Sequence, residues 1–328
     1  MEITKRRIVS LTTGKPIALP LTTSRRTNTT SQPQDGQTIH LPDERQLGYA
    51  EYGCATGLPL MWFHGYPSSR LEGQGIDKIA QQLGIRVIAP DRPGFGLSTV
   101  QAHRHILDWP ADVQALAGHL GLAHFAVLGG SGGAPYALAC AHGLPADMLS
   151  GVGIMAGAGP WQAGAHHMPL LYRVTAQAAH YWPAALRWLL DLSVWMLRKV
   201  LATRTVTRWL DNSIQKSISK KEQENGRSVE ERRQRTLRMM FEGFAQGSDA
   251  SVDEAKLLTQ DWGIPFEDVT YDPILMWHGA KDYNAPVAMV RYMAERLPHC
   301  VLKVYADHTH FTLHAHLDEI LSELIPKK

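Results

Sequence analysis

Cysteine is scarce, with 3 residues in 328. That is too few for a disulfide framework, so core packing must hold the chain, and a reducing compartment suits it. Long apolar runs are missing as well. The most apolar stretch, Trp188 to Leu197 between Arg187 and Arg198, is half the roughly 20 residues of a membrane span. Net charge is nearly absent, 33 Lys+Arg against 31 Asp+Glu, which argues against a general electrostatic nucleic-acid binder. The 16 histidines fall in no H-E-x-x-H or Cys/His ligand spacing, so no metal site is expected. His166-His167 and the histidines of 308–316 are at most adventitious ligands. No phosphate-binding P-loop, dinucleotide glycine motif or internal repeat occurs, and no cofactor is expected. The N-terminus lacks the apolar core of a secretory signal.

What is present is enough chain to bury a sizeable core, 44% of it hydrophobic. Its charge is segregated. Residues 1–34 carry six basic side chains and one acid; 160–262 carry 15 basic and 11 acidic; the remainder carries 12 and 19. The first segment is rich in Ser and Thr, is interrupted by Pro16, Pro20 and Pro33, and reads as a disordered basic tail. Its composition loosely matches an organellar transit peptide, so the expected location is cytoplasmic with organellar targeting as the alternative.

The folded part is expected to start near Asp35. Short apolar runs at 37–41, 46–52, 58–63, 85–89, 125–128 and 152–155 read as strands, with helical spacing over 72–83, 109–120 and 134–141 between them. This β/α rhythm implies a mostly parallel sheet flanked by helices. It stops at 160–262, where helical stretches near 168–181, 184–202, 204–219, 228–245 and 250–259 follow one another without a strand. It resumes with a strand at 273–278, a helix over 286–297, a strand at 300–305 and a helix over 313–324. The expected organisation is therefore a tail (1–34), a first core part (35–159), a helical cap (160–262) and a second core part (263–328). The charged 220–235 stretch reads as an exposed helix start or a loop.

Gly129-Gly-Ser131-Gly-Gly133 follows an apolar strand and opens a small-residue helix. In that setting G-x-S-x-G lifts a serine hydroxyl to the top of a sheet on a strained turn, and glycine at 129 and 133 relieves the crowding. The turn also places the Gly132 N–H at a helix N-terminus, suited to a developing oxyanion. The competing reading is a glycine-rich anion-binding turn.

With His64-Gly65 after the third strand, Asp91-Arg-Pro-Gly-Phe-Gly-Leu-Ser98 after the fourth, His278-Gly-Ala-Lys-Asp282 late in the chain and a histidine near the C-terminus, the sequence resembles the α/β-hydrolase family, specifically its capped serine enzymes. The resemblance spans about 36–328, interrupted by the insertion. It implies Ser131 as nucleophile, Asp282 as orienting acid and His310 as general base. Backbone N–H groups of Tyr66 and Gly132 then form the oxyanion hole. The segment after the preceding core strand, 155–161, holds no carboxylate to compete with Asp282. His308 is the rival base; His310 is preferred because Thr309-His310-Phe311 keeps the family's register, with Thr309 in place of glycine. His314 and His316 are expected on a helix, at the surface or facing the cap. His64 is expected to brace its loop, Asp91 and Arg92 to do the same, and the Tyr66 side chain to be free to shape the pocket. Serine at the elbow argues against the carboxylate-nucleophile relatives.

The resulting expectation is hydrolysis of an ester-like bond in a small to medium, mainly apolar molecule through an acyl-enzyme. Lactone, thioester or carbon–carbon hydrolysis and non-hydrolytic biosynthesis use the same triad, and a ligand-binding relative without catalysis is the rival of another class. A basic cap over an acidic core disfavours an aminopeptidase and would tolerate an anionic substrate group better than a cationic one. Trp161, Tyr172, Trp182, Trp188, Trp195, Met196, Met239, Met240 and Phe241 read mostly as cap core, with some facing the cavity. Cys54, Cys140 and Cys300 read as small buried apolar residues. No nucleic-acid partner and no membrane span are expected, and the sequence carries no signal of oligomeric state.

Overall fold

Alternation decides the strands. In Phe125–Gly130, Phe125 and Val127 point to one side, Ala126 and Leu128 to the other, and all four are buried. A strand covered on both faces needs a continuous apolar run, and the sequence supplies one. The computed structural model describes residues 34–217 and 228–326. The basic tail, except for Gln34, and residues 218–227, which include the first half of the charged 220–235 stretch, lie outside them.

The strands are β1 (Gln34–His40), β2 (Gln46–Gly53), β3 (Leu58–Phe63), β4 (Ile85–Pro90), β5 (Phe125–Gly130), β6 (Leu149–Met155), β7 (Ile274–Gly279) and β8 (Cys300–Tyr305). They form one sheet in the order β1-β2-β4-β3-β5-β6-β7-β8. β2 runs against β1 and β4; every other neighbouring pair is parallel.

Helices cover both faces. α1 (Asp77–Leu83) and α10 (Leu317–Leu324) bury Ala80, Ile320 and Leu321 on one. α2 (Trp109–Leu120), α3 (Ala134–Gly143) and α9 (Val287–Ala294) bury Leu116, Leu138 and Val290 on the other. Two helices expected as single units open as 3-10 turns, Arg70–Ile76 before α1 and Thr312–His316 before α10.

Between β6 and β7 lie α4 (Leu170–Tyr181), α5 (Pro183–Leu201), α6 (Arg204–Ser217), α7 (Val229–Phe241) and α8 (Asp249–Thr259), with no strand among the described residues. α4 starts after Pro169 and α5 carries Pro183 in its first turn, where the missing N–H is harmless. α7 is capped by Ser228, whose hydroxyl accepts the Glu231 N–H while the Glu231 carboxylate accepts the Ser228 N–H.

The burial of this insertion departs from expectation. Of the aromatic and methionine residues read as cap core, Tyr172, Trp182, Trp188, Trp195, Met196, Met239 and Met240 are exposed. Periodicity reports that a helix has an apolar face, not which way that face points. Cys140 is buried, but Cys54 and Cys300 are only half-buried. No described helix is long and apolar enough to cross a membrane, and the described residues hold no cluster of three metal-ligating side chains.

Candidate active site

Strand C-termini converge on one cavity. β3 leads to His64, β5 to Ser131, β7 to Asp282 and β8 to His310. A cavity of about 430 Å³ is lined by Tyr66, Ser131, Gly132 and His310 from the core and by Met168, Tyr172, Thr175, Ala176, Leu258 and Thr259 from the insertion.

Ser131 is held at φ +51°, a conformation that carries strain for a residue with a side chain. Its surroundings enforce the turn. A Cβ on Gly129 would collide with the Gly133 carbonyl, and one on Gly133 with the Phe63 carbonyl. The Gly132 N–H starts the helical turn that continues into α3. A Cβ on Gly132 would lie 2.8 Å from Tyr66 Cβ and 3.2 Å from Tyr66 N, so the two residues named as backbone donors are immediate neighbours.

The acid and the ring are joined. His310 Nδ1 and Asp282 Oδ2 are 2.7 Å apart, with the carboxylate buried. Asp282 divides its oxygens: Oδ1 accepts the N–H groups of Asn284 (2.9 Å) and Ala285 (2.8 Å). Asp282 therefore closes its own turn as well as contacting His310. The loops meet because Gly279, ending β7, has no side chain to strike the His308 carbonyl, and Lys281 N–H donates to that carbonyl at 3.0 Å. Burial pushes the neighbouring His278 ring below its ordinary pKa, and its Nε2 lies 2.7 Å from the Ala285 carbonyl.

The other histidines separate cleanly. His308 faces away, with its Nδ1 3.2 Å from the Thr312 carbonyl and its Nε2 3.1 Å from His316 Nε2. His314 lines the cavity. Thr309, standing where the family has glycine, exchanges hydrogen bonds with Thr312 and braces the loop. Among the described residues, the hydrogen bond that closes within the serine, acid and histidine set is the one between acid and ring; Ser131 and His310 share the cavity wall. Such bonds tighten when substrate arrives.

The strip His64-Gly65 is clamped from two sides. Glu72 accepts the Gly65 N–H on both oxygens (3.1 and 3.0 Å) and the Trp62 indole N–H at 3.1 Å. Arg92 donates to the carbonyls of His64 and of Gly65, the latter at 2.9 Å. His64 itself is wholly buried, accepts the Arg92 N–H at 3.2 Å and is pushed well below its ordinary pKa by burial and by the Arg92 charge. It braces the loop as expected. So does Asp91, whose carboxylate accepts the Arg70 and Leu97 N–H groups and whose pKa burial raises to about 6.

Arg92 in turn reaches the insertion. Its Nε lies 2.8 Å from Glu254 Oε1 of α8, and Arg104 and the Tyr136 hydroxyl hold the other Glu254 oxygen. Burial alone would raise the Glu254 pKa, but the Arg92 and Arg104 guanidiniums outweigh it and hold the carboxyl below its ordinary value. A second tie joins the same elements: Tyr66 Oη donates to the Ser251 carbonyl at 2.7 Å. The Tyr66 side chain lines the pocket, as expected, and is at the same time anchored to α8.

Glu72 and Glu254 escaped the sequence reading, and His314, expected at the surface or facing the cap, lines the cavity. Glu72 carried a signal: a glycine- and proline-rich loop offers unpaired N–H groups, and an acid one turn later can accept them. Glu254 carried none, because its partners lie 150 and 118 residues away. The cavity wall contains the Glu72 carboxylate and no Lys or Arg among the described residues, so the insertion's basic surplus does not reach the site. That removes the basis for expecting an anionic substrate group to be favoured.

A family model described as alpha/beta hydrolase fold matches residues 59–317. A non-heme haloperoxidase of Rhodococcus erythropolis is 37% identical over 92 residues, 28% of this chain and 33% of that protein; the match thus spans about a third of the curated relative's length. Among solved structures, a bromoperoxidase from Bacillus anthracis superposes with TM-score 0.59 at 18% identity, over 89% of this chain and all of that one (100%). An esterase from Exiguobacterium antarcticum superposes with TM-score 0.56 at 17% identity, over 87% and 94%.

Proposed function

The chain belongs to the alpha/beta hydrolase fold family, and on that premise we propose that it is a serine hydrolase acting on an ester-like bond of a small to medium, mainly apolar molecule, with Ser131, Asp282 and His310 as its triad. The observation that carries this reading is a strained serine at φ +51° on the same cavity wall as His310, whose ring lies 2.7 Å from the buried Asp282 carboxylate. Strain at a single side chain on a glycine-lined turn is what a presented nucleophile requires.

The chemistry follows from the geometry. Asp282 accepts the His310 Nδ1–H and so fixes the tautomer that leaves Nε2 basic. Nε2 takes the Ser131 proton as Oγ attacks the substrate carbonyl carbon. The tetrahedral oxyanion forms beside the Tyr66 and Gly132 amides, where one well-placed donor contributes about 3 to 4 kcal/mol. His310 then protonates the leaving group, and water, activated by the same ring, opens the acyl-enzyme. Glu72 and Arg92 act through the Gly65 peptide to hold the Tyr66 amide in place. The insertion acts as the cap, its Met168, Tyr172 and Leu258 shaping an apolar pocket.

The test is labelling by a fluorophosphonate probe, followed by a panel of esters, lactones and thioesters. Labelling of the wild type that Ser131→Ala abolishes, with hydrolysis of neutral apolar esters, is the expected result. A wild type that takes no label, or a strict preference for short charged substrates, refutes the reading.

A further inference from the structure

The outer face of the insertion leaves many large apolar side chains exposed. Trp182, Trp188, Trp195 and Trp209 are 65%, 66%, 57% and 64% exposed, and Leu170 and Leu171 are 71% and 74% exposed. On α5 the residues fall on two opposite apolar faces. Leu186 turns inward and packs with Ala179, Val252 and Ala255. Trp188 and Trp195, one heptad apart, turn the other way with Leu189 and Met196 beside them. A helix apolar on both sides is one whose second side is also meant to be covered.

Charge identifies the cover. Residues 170–217 contain seven Lys and Arg against two acids, Asp191 and Asp211. Arg173, Arg204, Arg208 and Lys216 are exposed and make no ion pair among the described residues. Lys199 stands over the exposed Trp195 ring and Arg198 over the half-buried Phe241 ring, so a cationic head borders an exposed indole. A second copy of the chain would bring two such basic faces together. A surface of anionic lipid headgroups offers both what the charges and what the tryptophans need: negative charge outside and an amphipathic boundary for indole rings. The face also borders the cavity, since α4 sends Tyr172, Thr175 and Ala176 to its wall and Leu170, Leu171 and Val174 to solvent.

We propose that the outer face of α4, α5 and α6 docks on an anionic lipid surface, lying in the interface without spanning it. The docking does not depend on catalysis, so it stands or falls separately from the hydrolase reading.

The experiment is co-sedimentation of the full chain with phosphatidylglycerol–phosphatidylcholine vesicles and with pure phosphatidylcholine vesicles, beside sedimentation equilibrium without lipid. Expected are binding to the anionic vesicles that falls at high salt and a shift of tryptophan emission to shorter wavelength. The doubly substituted Trp188→Ser, Trp195→Ser protein should bind at least fivefold more weakly while keeping its circular dichroism and its fluorophosphonate labelling. No pelleting with anionic vesicles, equal pelleting of the double variant, or a dimer that the double variant converts to monomer would each overturn the proposal.

Discussion

The floor of the cavity and the outer face of its roof are built by opposite means. The floor is fixed by backbone crowding and by buried charge: glycines that admit no side chain, the His64-Gly65 strip held by Glu72 and Arg92, and Glu254 closed off from solvent between two arginines. The roof's outer helices bury little and expose tryptophans. The difference shows where each constraint acts. Reacting atoms must be placed within fractions of an ångström, which buried groups held by hydrogen bonds and ion pairs achieve. A surface that meets something outside the chain is left apolar and unpaired within it. α8 belongs to both regimes, since it is part of the insertion yet is anchored to the floor by Glu254 and by Tyr66.

Substitutions should separate the regimes, and the largest effect is expected at the acid. Asp282→Asn should keep the turn yet lose the tautomer control of His310, lowering kcat by about 10⁴-fold; steady-state kinetics on an aryl ester measures it, and a loss below tenfold would break the floor's account.

Next is Glu254→Ala, which strands Arg92 and Arg104 in the interior. Such a truncation is worth about 3 to 5 kcal/mol, read as a shift in urea midpoint. Because Arg92 carries the Gly65 carbonyl, kcat should fall more than KM rises.

The pH dependence of stability is smaller. His64 and His278 are buried with depressed pKa values. A depressed folded pKa means that stability is present above the unfolded value near 6.5 and is withdrawn as pH falls toward the folded one. Each ring should therefore withdraw up to about 1.4 kcal/mol per pH unit below that value. Thermal denaturation at pH 7.5 and 5.0 tests it: His278→Gln should narrow the gap between the two melting temperatures, and an unchanged gap would contradict it.

The smallest effect is expected on the roof. Trp188→Ser, at an exposed position, should change stability in solution by no more than about 0.5 kcal/mol. A large loss would mean that the outer face is covered within the free protein, and the contrast would collapse.

What the sequence disclosed follows the same division. The elbow was legible because Gly129 answers a local collision, with the carbonyl four residues on, while the collision that Gly133 avoids is with distant Phe63. That His310 rather than His308 meets Asp282 follows the register implied by the family resemblance, and the local contacts give the reason: Thr312 and His316 hold His308 away while Gly279 lets the loop bring His310 to Asp282. Long-range pairs such as Arg104–Glu254 leave no local trace. The outward orientation of Trp188 and Trp195 was hidden because a helical repeat looks the same whichever face it turns to the core. The net charge misled for a related reason: among the described residues no Lys or Arg of the insertion lines the cavity, whereas Glu72 does.

The central claim is that Ser131 carries the acyl group during turnover. Mass spectrometry of protein quenched during hydrolysis of an aryl ester tests it most directly. The predicted result is an acyl adduct on the peptide that contains Ser131, absent in Ser131→Ala together with turnover. Turnover without that adduct in the wild type, or undiminished turnover in Ser131→Ala, would contradict it.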